Sequence, residues 1–73
     1  MNESTLALIK ELLAQCLRLP LEQITNETEI PDLDGLNIVL HHRTGHYFKV
    51  PLDESYLMNP ITLGQLVALN SED

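Results

Sequence analysis

Three histidines fall close together near the middle of the chain. His42 and His46 stand four positions apart, and His41 lies beside them. Two imidazoles at that spacing share one face of an uninterrupted helix, an arrangement that can bind zinc. Gly45 between them favours a helix end, and no acid or cysteine nearby offers a third ligand. We therefore expect solvated or capping histidines and no metal site, with titration near about pH 6–7 as a means of tuning partner binding.

The candidate nucleophiles give little support for catalysis. Cys16 lies on the apolar stripe of a predicted helix, where thiols are usually inert core residues. Ser55 is the least implausible substitute for a modified serine, but its surroundings predict a place on a short helix. The other serines are Ser4 and Ser71. A domain this small offers little cleft for a substrate, so we expect no enzymatic activity.

Acidic side chains cluster in the first half of the chain, at Glu27, Glu29, Asp32 and Asp34. Such a cluster can bind a divalent cation. Acids in a turn-rich loop are more often solvated or placed at the start of a helix. We expect the second use here, with Asp34 as the cap of a second helix.

Composition limits the classes of partner. The 73 residues carry eleven acids against four Lys and Arg, a formal charge of −7. We therefore expect no nucleic-acid or membrane partner, and basic protein surfaces as the likelier partners. The lone cysteine, the absence of a leader sequence and the short apolar runs favour a cytoplasmic protein. Residues 1–73 are predicted to form one domain.

The strongest periodic signal predicts a first helix over residues 4–18. Apolar side chains recur there at three- and four-residue steps, which places them on one stripe. Ser4 is predicted to cap this helix, and Pro20 to close it. The stripe consists of Leu6, Ile9, Leu12, Leu13, Cys16 and Leu17.

A long loop and a second helix are predicted to follow. Residues 19–35 predict an ordered loop, held by the inward-pointing side chains of Ile24, Ile30 and Leu33. The second helix is predicted over residues 36–43, before a glycine C-cap at Gly45. Its predicted inner face consists of Leu36, Val39 and Leu40.

The last third of the chain predicts extended chain and two short helices. Residues 46–50 alternate polar and β-favouring side chains, and residues 53–58 predict a short helix capped by Asp53. Thr62 and Gln65 have the capping-box spacing that begins a final helix. Its predicted inner side chains are Leu63, Leu66, Val67 and Leu69. The expected fold is all-α, a bundle of three to four helices.

Two segments resemble acyl and peptidyl carrier proteins. Residues 22–33, EQITNETEIPDL, resemble the loop after the first helix of that family, and residues 61–67, ITLGQLV, resemble the start of its last helix. The resemblance covers most of the chain and implies an acyl-carrier-protein-like bundle with a long loop between helices one and two. In that family, an Asp-Ser-Leu motif carries phosphopantetheine on the serine.

The chain departs from the family at that motif. Its matching tripeptide is Asp34-Gly35-Leu36, and glycine has no hydroxyl to form the phosphodiester. The segment after Gly35 also looks about one helical turn short. An alternative alignment places residues 43–45 at the end of helix two and deletes the serine region. Residues 35–52 contain no acid, whereas the family's helix two is acidic.

The resemblance implies a partner-binding protein without a prosthetic group. We expect it to act beside a synthase or acyltransferase component of fatty acid, polyketide or peptide biosynthesis, as a monomer or weak homodimer. One alternative is an active carrier that holds acyl groups on phosphopantetheine as thioesters; another is a dimerising scaffold that uses Tyr47, Phe48 and Val50. The expected partner surface is Asp34, Leu36, Asn37, His41 and Arg43.

Overall fold

The computed structural model describes residues 2–71 and has an all-α architecture. Helix α1 spans Glu3–Leu17, α2 spans Leu33–Thr44 and α3 spans Leu63–Leu69. Single 3₁₀ turns, at Leu21–Gln23 and Ser55–Leu57, interrupt the two long connections. The described residues contain no β-strand, although Glu29 and Thr62 form one isolated antiparallel bridge.

Helix α1 confirms the predicted first helix but not its caps. Asn2, not Ser4, is the N-cap, because its side-chain oxygen accepts a hydrogen bond from the backbone N–H of Thr5 at 2.8 Å. The helix ends at Arg18, which adopts a left-handed conformation with φ of 56°. Termination therefore occurs two residues before Pro20, and proline is not the residue that stops the helix.

Helix α2 is longer than residues 36–43. Asp32 is its N-cap, so the helix begins at Leu33 and Asp34 lies inside the first turn. Both acids could cap a helix by residue type, and the non-helical conformation of Asp32, with φ of −138° and ψ of 80°, selects the earlier one. Gly45 is the C-cap, with φ of 81°, as predicted.

The third helix begins with the predicted capping box. The Thr62 hydroxyl accepts from the Gln65 N–H at 3.2 Å, and the Gln65 side chain accepts from the Thr62 N–H at 2.8 Å. Leu63 and Leu66 are buried, as predicted, whereas Leu69 is exposed because the helix ends there. The predicted short helix at 53–58 is reduced to the second 3₁₀ turn, which begins at Ser55 with Glu54, not the predicted Asp53, at the N-cap position.

The core joins all three helices to the two connections. The predicted loop anchors Ile24 and Ile30 are buried, as expected, and Leu33 is buried too but belongs to the first turn of α2. Phe48 is also buried, so the segment at 46–50 contributes to the core instead of offering that ring to a partner. The buried apolar residues are Ile9, Leu13, Ile24, Ile30, Leu33, Leu40, Phe48, Leu63 and Leu66.

The segment at 46–50 forms no strand, and its backbone is bonded to side chains of other elements. The Asn37 amide accepts from the Phe48 N–H at 3.0 Å and donates to the Phe48 carbonyl at 3.3 Å. Asn70 makes the same pair of contacts with Lys49, at 2.7 and 3.1 Å. Two asparagines therefore hold this segment between α2 and α3.

Candidate functional site: Gly35, the α2 outer face and the adjoining groove

Gly35 occupies the third position of α2, where its missing side chain makes room for the helix cap. The Asp32 carboxylate accepts a hydrogen bond from the Gly35 N–H at 3.1 Å. A Cβ atom added to Gly35 would collide with Oδ2 of Asp32 and lie 2.9 Å from its Cγ. The cap in its present rotamer therefore requires glycine at position 35.

A serine at position 35 would have to move the Asp32 side chain. The carboxylate is the far end of an exposed side chain and can rotate, but rotation removes its hydrogen bond to the helix. The missing hydroxyl and the packing around Gly35 therefore both argue against an attachment site at this position. Position 35 serves the helix start, and it carries no nucleophile.

Asp34 connects the start of α2 to the second 3₁₀ turn. Its Oδ1 accepts a hydrogen bond from the Tyr56 hydroxyl at 2.9 Å. This bond raises the pKa of Tyr56 above its ordinary value of 10.0, because ionisation would remove the donated proton and place a second negative charge beside Asp34. Any stability that follows from this shift is present below about pH 10 and is lost as the pH rises through the folded-state pKa.

An apolar groove runs beside Gly35, between α1 and α2. Its volume is about 260 Å³. We call it the α1–α2 groove; its lining is Leu12, Leu13, Cys16, Ile30, Pro31, Asp32, Gly35, Leu36 and Val39. Cys16 is exposed here, so the predicted core position was wrong. The thiol lies on the apolar stripe of α1 as expected, but the groove remains open beside it.

The five residues of the predicted partner surface have different environments. Leu36 is half-buried and lines the α1–α2 groove, and Arg43 is exposed in the last turn of α2. Asp34 is exposed and accepts the bond from Tyr56. The Asn37 amide is occupied by the backbone of Phe48, which is a structural task. His41 stacks on Tyr47, with ring centroids 4.0 Å apart and planes 5° from parallel.

Sequence reasoning did not single out Ile38. It is 63% exposed, and it lies four residues after Asp34 and four before His42 on the same ridge of α2. Val39, placed on the inner face by prediction, is 41% exposed and precedes Arg43 by four residues. The four-residue spacing from Asp34, His42 and Arg43 is the sequence signal that could have identified Ile38 and Val39. We call Ile38, Val39, His42 and Arg43 the α2 outer face.

The histidines do not share one helix. The helix ends at Thr44, and the left-handed Gly45 separates His46 from His42. Within residues 2–71, no group of three or more His, Cys, Asp or Glu side chains could hold a metal ion. Two of the clustered acids have structural contacts: Asp32 caps α2, and Asp34 accepts a hydrogen bond from Tyr56.

Ser55 has a local structural contact. Its backbone N–H and its hydroxyl both donate to Asp53, at 3.1 and 2.9 Å. The backbone bond is the main cause that lowers the pKa of Asp53. These two bonds hold the Ser55 side chain at the start of the second 3₁₀ turn.

The two segments that carry the family resemblance are bonded to each other. The Ile30 N–H donates to the Ile61 carbonyl at 2.9 Å, and the Leu63 N–H donates to the Thr28 carbonyl at 2.8 Å. The Gly64 N–H donates to the Asn26 carbonyl at 2.8 Å, and a Cβ on Gly64 would lie only 3.0 Å from that oxygen. We call these three bonds the loop clasp. The glycine of ITLGQLV therefore permits close approach of the loop backbone.

The comparisons with known proteins give no relative. No family model, no curated protein sequence and no solved structure matches the chain. Within residues 2–71, no helix combines the length and the apolar character needed to cross a bilayer.

Proposed function

We propose that this chain is an acyl-carrier-protein-like, non-enzymatic protein that carries no phosphopantetheine and acts by binding another protein. Its place would be beside a synthase or acyltransferase component of fatty acid, polyketide or peptide biosynthesis. This context rests on the resemblance of two segments to the carrier family.

The environment of Gly35 carries the proposal. A carrier needs a serine hydroxyl at this position, and here the site of its Cβ atom is taken by the Asp32 carboxylate. The loop clasp supports the carrier-like comparison, because it brings together the two segments on which the resemblance is based. A carrier-like framework combined with a blocked attachment position favours binding over acyl transfer.

The surface available for binding lies on α2. Asp34, Leu36, His41 and Arg43 remain candidate contacts, and the exposed Ile38 and Val39 are additional ones. Asn37 is left out of the proposed surface, because its amide already holds Phe48.

Phosphopantetheinylation tests this proposal against the active-carrier alternative. The protein is incubated with coenzyme A and a broad-specificity phosphopantetheinyl transferase, with a functional carrier protein as positive control, and its intact mass is measured. We expect no change in mass. Stoichiometric gain of one phosphopantetheine group would overturn the proposal in favour of an active carrier.

A Gly35→Ser variant in the same assay tests the alignment. Because the exposed Asp32 side chain can rotate away from a serine, we expect this variant to gain the group, more slowly than the control since Asp32 must move and residues 35–52 lack acids. A Ser55→Ala substitution in the variant should leave the gain unchanged. Failure of Gly35→Ser to react at all would contradict the carrier-like placement of position 35.

A further inference from the structure

The α2 outer face exposes apolar area on two neighbouring ridges of the helix. Ile38 and Val39 are 63% and 41% exposed, although they lie mid-helix, where the side of α2 that carries Leu40 is fully covered. Exposed apolar side chains that adjoin one another are typical of a surface that another molecule covers. Val39 also lines the α1–α2 groove, so its partly exposed side chain belongs both to the groove and to the α2 outer face.

The size of the groove favours a single large side chain as its occupant. About 260 Å³ lies below the usual range of about 300–1,000 Å³ for small-molecule sites. Protein interfaces commonly place one aromatic or aliphatic anchor in such a pocket, and the surrounding contacts contribute less binding free energy. The apolar lining from Leu12, Leu36 and Val39 suits an apolar anchor.

The charge beside this surface differs between its two ends: Asp32 and Asp34 lie at the start of α2, whereas the end of α2 has no acid. Ile38 and Val39 are each followed, one helical turn later, by an exposed His42 or Arg43. No acid occurs from residue 35 to residue 52, although the chain has a formal charge of −7. Two of its four Lys and Arg residues, Arg43 and Lys49, lie in this stretch. The local field at the end of α2 therefore favours an anion.

We propose that the α2 outer face and the α1–α2 groove bind an acidic amphipathic segment of a partner protein. A large apolar side chain of the partner enters the groove, and its carboxylates lie against Arg43 and His42. This inference rests on the proposed function, because it names the chemistry of the partner at the same surface. It also reverses the charge of the partner that the carrier family's acidic helix would select.

Cys16 provides a direct reporter for this groove. It is the only cysteine in the chain, it is exposed, and it lines the groove. The rate of its reaction with a chromogenic disulfide reagent is measured with two synthetic helical peptides. Both peptides have leucine and phenylalanine at the same positions. Every charged position is glutamate in one peptide and lysine in the other. We expect the glutamate peptide to slow the reaction several-fold and the lysine peptide to leave it unchanged.

Charge reversal tests the role of Arg43. In Arg43→Glu, we expect protection by the glutamate peptide to be lost, while the lysine peptide becomes able to protect Cys16. The matched control is Lys10→Glu, which makes the same change in net charge on α1 outside the groove lining. It should behave as the unaltered protein. Circular dichroism checks that both variants are folded, and Arg43→Gln repeats the test without a new charge.

Other results would overturn the inference. Equal protection by the two peptides, protection by neither, or equal effects of Arg43→Glu and Lys10→Glu would each contradict it. Protection by dodecanoate with no dependence on Arg43 would instead assign the groove to a small apolar ligand. Protection that grows with protein concentration alone would assign it to a second copy. The mass assay is independent of all these readouts, so failure here is distinguishable from failure of the proposed function.

Discussion

At the residue scale, Gly35 and Asp32 form one unit. The absence of a side chain at position 35 lets the Asp32 carboxylate reach the Gly35 N–H. A glycine in the first turn is usually unfavourable in a helix by up to about 1 kcal/mol. The retained cap offsets that loss, so the two residues must be considered together.

A double-mutant cycle tests this coupling. Asp32→Ala should lower the free energy of unfolding by about 1 kcal/mol, since it removes the cap. Gly35→Ala should have nearly no net effect in the unaltered protein, because the gain in helix propensity is cancelled by displacement of Asp32. In the Asp32→Ala background, the same substitution should stabilise by up to about 1 kcal/mol. The free energies come from urea denaturation.

Asp32→Asn is the control, because asparagine caps helices about as well as aspartate. Equal effects of Gly35→Ala in both backgrounds would show that the carboxylate does not occupy the position assigned to it.

At the element scale, the backbone of the segment at 46–50 is hydrogen-bonded to one side chain of α2 and to the C-cap side chain of α3. Asn37 and Asn70 each provide one donor and one acceptor to a single backbone residue, as a neighbouring strand would. These bonds satisfy the backbone of Phe48 and Lys49 without a neighbouring strand. They also position Phe48 in the core and Tyr47 against His41.

Asn37→Ala should destabilise the protein by about 1–3 kcal/mol, because it leaves the backbone N–H and carbonyl of buried Phe48 unpaired. Thermal or urea unfolding measures the change. Asn59→Ala is the matched control, since Asn59 is exposed, and its unfolding free energy should stay within about 0.5 kcal/mol of the original. A similar change in both variants would argue against the role of Asn37.

Prediction from sequence succeeded where the signal was local. The apolar period of α1, the glycine after α2 and the Thr62–Gln65 capping box depend on neighbours within one or two turns. Asp32 and Asp34 were equivalent by residue type, so only the backbone conformation could select the cap. The exposure of Cys16 depends on the space that α2 leaves beside α1, and no periodicity encodes that space.

At the scale of the whole molecule, a core of few residues holds the fold together. Leu63 and Leu66 of α3 are fully buried, as is Ile9 of α1. For 73 residues, the expected free energy of unfolding is about 4–11 kcal/mol. One core contact is therefore a large share of the total.

Leu63→Ala should cost about 2–5 kcal/mol, from the lost apolar contact and the cavity it leaves. Leu57→Ala, at a 63% exposed position, should change stability by no more than about 0.5 kcal/mol. Chemical denaturation followed by circular dichroism compares the two. Comparable losses would mean that α3 does not close the core as the structure places it.

The loop clasp has a consequence for the order in which the chain folds. Its bonds join residues 26–30 to residues 61–64, so a long stretch of chain must be closed before any of them forms. Contacts of such sequence separation develop late in folding, whereas helices such as α1 and α2 form from local contacts. During synthesis, the loop clasp therefore cannot form until residues 61–64 have left the ribosome.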